Sequence, residues 1–83
     1  MEQIQIKWDQ EKNLKLQELR GVSFEEIAAL IEADAFYLMA HPVRENQQIA
    51  VVMLDGYPWD VPFVIEKDGS IFLKTAFPNR RRK

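Results

Sequence analysis

The residues of this sequence that could do chemistry are mostly cations, and they gather toward its end. Lys74-Thr75 is followed by Arg80-Arg81-Arg82-Lys83. Arginine's planar fork meets a phosphate with two parallel hydrogen bonds, and lysine meets it as a point charge. His41 is the single histidine, and its ring titrates in the range that suits proton transfer. Arg44 follows in the same polar stretch. Tyr57 and Trp59 flank a turn, where an aromatic face can stack on a base or meet a partner. Together these residues suit holding a phosphodiester and moving a proton beside it.

Each of them also has a plainer reading. In a strand, Lys74 alternates with Phe72 and Ala76, while Ile71, Leu73 and Thr75 point the other way, so Lys74 and Thr75 take opposite faces. Lys74 then serves equally well as a charged strand end that discourages edge pairing. The four terminal cations read equally as a solvated chain end. A lone histidine before a proline reads as a loop residue. Trp8, Phe36, Tyr37, Phe63, Phe72 and Phe77 are core residues by default, as are Tyr57 and Trp59. Glu25, Glu26 and Glu32 suggest no acid–base pair: Glu26 belongs to a helix cap, and the other two sit seven apart on a helix surface. With no cysteine and one histidine, no metal site is expected. No phosphate loop, nucleophile elbow or nucleotide-binding glycine pattern is present, and no cofactor is expected.

At 83 residues the chain is one domain, spanning 1–83. A domain this short buries about 60–65% of its unfolded surface. Its core then leaves roughly 3–5 kcal/mol of net stability without a staple. No disulfide can form, so a partner chain is the remaining aid. The lack of cysteine fits a reducing cytosol. Met1 to Gln5 shows no signal-peptide pattern, and the run Ile49–Leu54 is far short of a membrane span. These features point to a cytoplasmic protein away from membranes. Net charge is −2, with a balance of −4 over residues 1–40 and +2 over residues 41–83. A slightly acidic whole with a basic end is not a general nucleic-acid coat, but it allows phosphate contact at one place.

The elements that must position these groups follow from periodicity. Residues 3–8 alternate polar and apolar, a half-buried strand. Asp9 is placed to cap a helix through Leu14, Leu16 and Leu19, closed by Gly21. Ser23-Phe24-Glu25-Glu26 is a capping box, with Val22 and Ile27 placed as its hydrophobic staple. Phe24, Ile27, Ala28 and Ile31 then mark one face of a helix over about 24–33. Residues 35–39 read as a short strand, and 42–48 as a polar loop. The run 49–54 reads as a central strand covered on both faces. Asp55-Gly56 and Lys67-Asp68-Gly69-Ser70 are turns around a strand at 59–66. A last strand over 71–76 is broken by Phe77-Pro78-Asn79. Pro62 must either turn its missing donor away from a neighbour or mark a bulge. The expected class is α+β: an N-terminal strand, two helices on one face, then a three- to four-stranded antiparallel meander.

Three segments resemble a known family. Lys7-Trp8-Asp9-x-x-Lys12-Asn13 and Gly21-Val22-Ser23-Phe24-Glu25-Glu26 resemble the opening of BrnT-like toxins of type II toxin–antitoxin systems. Phe72-Leu73-Lys74-Thr75-x-x-Pro78-x-Arg80-Arg81 looks like the last strand and basic tail of a related branch. The likeness runs over about residues 6–82. It implies a RelE-like fold and a metal-independent ribonuclease that cleaves mRNA, free or on the ribosome. It also implies a cognate antitoxin that binds the toxin and carries any contact with promoter DNA. In such cleavage the 2′-hydroxyl attacks, a base takes its proton, cations steady the phosphate and an acid serves the leaving oxygen. On this reading Lys74, Arg80, Arg81 and His41 are the catalytic candidates, and Thr75, Arg44, Tyr57 and Arg82 bind RNA. One departure stands out. Better-known members carry arginines across the sheet, whereas 49–54 and 59–66 here carry none. That favours a second reading, a catalytically inactive relative kept as an antitoxin-binding, regulatory module. A third is an unrelated small scaffold that forms homo-oligomers through its sheet or aromatic surface.

Overall fold

A computed structural model describes residues 5–40 and 47–79. The N-terminal alternation forms β1 (Ile6–Trp8). Asp9 then caps α1 (Gln10–Arg20), its carboxylate accepting from the N–H of Glu11 at 2.9 Å and of Lys12 at 3.3 Å. Gly21 ends α1 at φ +71°, a left-handed position that a side chain would strain. α1 turns Asn13 and Leu16 inward, while Leu14 and Leu19 are 53% and 80% exposed. The helical angle explains Leu14: Asn13 is three positions from Leu16 and shares its face, whereas Leu14 is two positions away and points to the far side.

α2 (Phe24–Glu32) buries the expected face of Phe24, Ile27, Ala28 and Ile31. Ser23 Oγ accepts from the Glu26 N–H at 3.2 Å. The return arm differs from the expected box: the Ser23 hydroxyl donates to Glu26 Oε1 at 3.3 Å. The Phe24 N–H donates to Asn13 Oδ1 at 2.8 Å. Asn13 Nδ2 donates in turn to Glu25 Oε1 at 2.7 Å. A fully buried amide therefore joins the two helices with both its ends used.

β2 (Phe36–Ala40), β3 (Gln47–Leu54), β4 (Tyr57–Ile65), β5 (Ile71–Leu73) and β6 (Phe77–Pro78) complete the sheet. Its order is β1-β5-β4-β3-β2, with β6 also on β4. Only the β1–β5 pair is parallel. The chain is thus α+β, with an N-terminal strand, two helices and a four-stranded antiparallel meander. Core residues of both helices gather with Ala50, Val52, Leu54, Trp59, Val61, Phe63 and Leu73, which share one face of the sheet. β3 is buried on both faces, since Ile49 and Val51 are also buried. It begins two residues earlier than its apolar run, at Gln47 and Gln48. These pair with Val64 and Phe63 through the backbone, which polar side chains do not prevent. Among the described residues, no helix is long and apolar enough to cross a membrane.

The β3–β4 turn has Asp55 at φ +53° and Gly56 at φ +75°. Two successive positive φ values make a type I′ turn, whose twist matches the strands. The Leu54–Tyr57 pair closing it is hydrogen-bonded, and bonded pairs then alternate along the ladder. Pro58 and Pro62 fall on the alternate positions, so both turn their donorless nitrogens away from β3. Their carbonyls agree with this direction: Pro58 accepts from the Asn79 N–H at 3.0 Å and Pro62 from the Lys74 N–H at 2.8 Å. The register also shifts along this edge. Phe63 pairs with Leu73, but Asp60 pairs with Phe77. Val61 and Pro62 therefore face Lys74, Thr75 and Ala76, one residue too many. The extra residue is a bulge. It ends β5 at Leu73, three residues short of the expected end, and Phe77-Pro78 resumes pairing as β6 instead of breaking it.

In the β4–β5 turn, the Ser70 N–H and hydroxyl lie 2.9 and 2.6 Å from Asp68 Oδ1. Lys7 Nζ stands 3.7 Å from Asp68 and 3.4 Å from Glu66. The Ser70 hydroxyl first, then its N–H, hold the Asp68 carboxyl below its ordinary 3.8. The folded pKa is lowered, so this stabilisation is present above the unfolded value and disappears as pH falls through the folded one. Ser70→Ala should therefore reduce stability at neutral pH and flatten the acid limb of the stability–pH curve. Urea unfolding of both proteins between neutral and acid pH tests this, and parallel curves would contradict it. Asn13→Ala strands a buried N–H and should cost about 2 kcal/mol. An unchanged urea midpoint would remove the amide from its structural role.

Candidate nucleic-acid interface

α1 lies across the helix side of the sheet, and its flank carries Lys12, Lys15 and Arg20. The spacing of three and then five residues keeps these cations on the side that Leu16 and Leu19 share. Arg20 sits in the last turn, where the helix dipole favours a cation. Lys12, Lys15, Leu16, Leu19, Arg20 and Thr75 line a hollow of about 230 Å³. Beside it, Arg20, Asp55, Tyr57, Trp59 and Pro78 line a second cleft of about 370 Å³. Arg20 is common to both. The first hollow is cationic, as a phosphate requires. The second is lined by the half-buried phenol of Tyr57 and the buried Trp59, aromatic groups of the kind that meet a base, with Asp55 as its one acid.

Alternation from Leu73 puts Thr75 there, and the bulge sets Ala76 beside it. Alternation alone would turn Ala76 to the face of Phe72 and Lys74. Instead the extra residue carries Ala76 into the core with Leu73, at 1% exposure. Lys74 keeps the opposite face, exposed, with Nζ 5.3 Å from the centre of the Phe72 ring. Lys74 and Thr75 do take opposite faces, as the alternation predicts. The sequence-derived set is thereby divided: Thr75 and Tyr57 come together around Arg20, and Lys74 does not join them.

Asn79, the last described residue, is held at a fixed point. Asn79 donates its N–H to Pro58 and, through Nδ2, its amide to Asp60 Oδ2 at 3.0 Å. Asp60 is 2% exposed, so this anchor is buried at one end. The chain is thus held beside the Tyr57 and Pro78 wall one residue before Arg80. His41, Arg44, Arg80, Arg81 and Arg82 lie outside the described residues. Among the described residues, no group of three or more His, Cys, Asp or Glu could hold a metal ion.

Sequence reasoning passed over Lys12, Lys15 and Arg20. The signal was their spacing around Leu16 and Leu19, but charges on an amphipathic helix are by default a solvated face. It also passed over Asn13 and Asp60, the two buried groups that hold the site's borders. Comparison of the chain with protein-family models, with curated proteins and with solved structures finds no match.

If this flank meets a nucleic-acid backbone, Lys12→Ala/Lys15→Ala/Arg20→Ala should weaken binding of single-stranded RNA. The slope of log K against log salt should flatten by about 0.7 for each phosphate that the variant no longer neutralises. Fluorescence anisotropy over a salt series measures both. An unchanged slope would take α1 out of the interface.

Proposed function

We propose that this chain is a BrnT-like toxin of a bacterial type II toxin–antitoxin pair, a RelE-like ribonuclease that cleaves mRNA in the cytoplasm until a cognate antitoxin binds it. The observation that carries this reading is the pinning of Asn79 beside the cleft of Arg20, Tyr57 and Trp59. Arg80-Arg81-Arg82-Lys83 follows Asn79 in the sequence, and the cleft beside Pro78 already holds a cation in Arg20 and an aromatic wall in Tyr57 and Trp59. RNA fits such a surface by placing phosphates along Lys12, Lys15, Arg20 and Thr75, and a base on Tyr57.

The chemistry needs no metal. The 2′-oxygen attacks the adjacent phosphorus, its proton passes to a base, and the 5′-oxygen leaves with a proton from an acid. A 2′,3′-cyclic phosphate results. Arg80 and Arg81 supply charge to the crowded phosphate, where loss of one aimed donor costs about 10²–10³ in rate. His41 is the residue whose ordinary pKa suits the proton transfers. Arg44 and Arg82 extend the phosphate contacts. Lys74, on the other face of the sheet, meets RNA only where the strand passes around the end of β5. Contact with promoter DNA belongs to the antitoxin.

A second reading, a non-catalytic module that binds the antitoxin, is favoured by the strands themselves. Neither β3 nor β4 carries an arginine or lysine. Induced expression in a bacterium separates the two readings, scored by growth and by RNA integrity. The wild type should arrest growth and degrade RNA. Arg80→Ala/Arg81→Ala and Lys12→Ala/Lys15→Ala/Arg20→Ala should each relieve the arrest. Arrest by all three proteins would keep the toxin and discard this site. Normal growth with soluble, folded wild type would leave the binding module.

A further inference from the structure

We propose that two copies of this chain pair through β2, antiparallel about a two-fold axis at Leu38, to form one continuous sheet. This is independent of the ribonuclease reading. β2 is the edge strand of the sheet at the end away from β1. Its residues Phe36-Tyr37-Leu38-Met39-Ala40 carry no charge and no proline. Natural edge strands avoid pairing with other chains through lysines, prolines or bulges. The opposite edge, β1, does carry such a charge in Lys7, which is ion-paired to Glu66 and Asp68. β2 has none of these devices.

The outward groups of β2 follow from the ladder. The type I′ turn makes Leu54, Val52 and Ala50 bond to β4, so Val51 and Ile49 bond to β2. Their partners there are Tyr37 and Met39. The backbone groups of Phe36, Leu38 and Ala40 therefore point away from the sheet. These three positions are symmetric about Leu38. A two-fold axis at Leu38 sets Leu38 opposite its own copy and Phe36 opposite Ala40 of the second copy. Each of these pairs is of the hydrogen-bonded kind, so every outward N–H and C=O finds a partner.

The side chains are self-complementary in the same register. On the helix side, Phe36 meets the small Ala40 of the second copy, and the two Leu38 side chains meet at the axis. On the other face Tyr37 meets Met39, a ring against a thioether. Tyr37, Leu38 and Met39 are 53%, 54% and 38% exposed in the single chain. Like charges face each other nowhere in the register. The start of the strand also fits. Asp34, at φ +58°, turns the chain away just before it.

The test is the mass of the full chain, made by cell-free synthesis, in sedimentation equilibrium at rising concentration. The wild type should reach twice 9.8 kDa, and Leu38→Lys should stay at 9.8 kDa with an unchanged circular dichroism spectrum. The chain has no cysteine, so an added thiol reports proximity directly. Leu38→Cys should form a disulfide-linked dimer on mild oxidation, and Leu19→Cys on exposed α1 should not. A monomeric wild type at every concentration would overturn the proposal, and so would a Leu38→Lys dimer. Equal cross-linking at Leu19 and Leu38 would also overturn it. Each of these results leaves the ribonuclease reading untouched.

Discussion

The structure hangs on one buried amide. Asn13 sits at zero exposure between two helices, and every polar atom of its side chain has a partner. Its carbonyl takes the first free N–H of α2, a donor that no residue within that helix can satisfy. Its amide nitrogen is held by Glu25. An amide satisfied at both ends costs little to bury and tolerates little displacement, because losing either bond leaves a group stranded in low dielectric. The angle between α1 and α2 is thereby set by hydrogen bonds rather than by apolar contact alone. Phe24, which gives the N–H, also packs against Trp8, the rings tilted with centres 6.0 Å apart. One constraint thus ties β1, α1 and α2 together.

That constraint decides where α1 presents its charges. With Asn13 and Leu16 turned inward, Lys12, Lys15 and Arg20 lie along the border between helix and sheet. The opposite border is built by the bulge in residues 74–76. A regular strand would have carried Thr75 and Ala76 past β4 without turning Ala76 inward. Thr75 faces α1 by alternation from Leu73, and the extra residue lets Ala76 fill the core beside it. Pro62 makes this tolerable, since β4 has no N–H to offer at the point where the ladder fails. The cleft is therefore a product of two local irregularities: a polar residue inside a helix interface and a proline inside a strand.

This is also why the sequence was legible in some places and not in others. Caps, turns and apolar faces are local signals. Asp9, Gly21, Ser23 and Asp55-Gly56 each perform the task that their type and position suggest, and the fold class follows from them. The bulge is not local. Lys74, Thr75 and Ala76 look like an alternating strand until their register against Val61 and Pro62 is known. Pro62 showed that something was irregular on β4, but the irregularity was taken up by the neighbouring strand. Asn13 was hidden for a related reason. An asparagine in a helix between lysines and leucines looks solvated, and only the packing of α2 turns it into a core residue.

The two surfaces proposed here lie at different ends of the sheet, and the strand order makes them compatible. From β5 to β2 the sheet crosses β4 and β3, about 14 Å at the usual strand spacing. The cationic flank belongs to α1 and the Tyr57 cleft to the β3–β4 turn beside β6, while the uncharged edge belongs to β2. Pairing through β2 leaves both clefts of each copy open and sets two of each on one sheet. It also answers the thin core of an 83-residue chain without a disulfide. Hydrogen bonds and apolar side chains that a single copy leaves in water become interior in the pair. An edge strand with no lysine or proline is a hazard unless something covers it, and a second copy in the self-complementary register covers every outward backbone group at once.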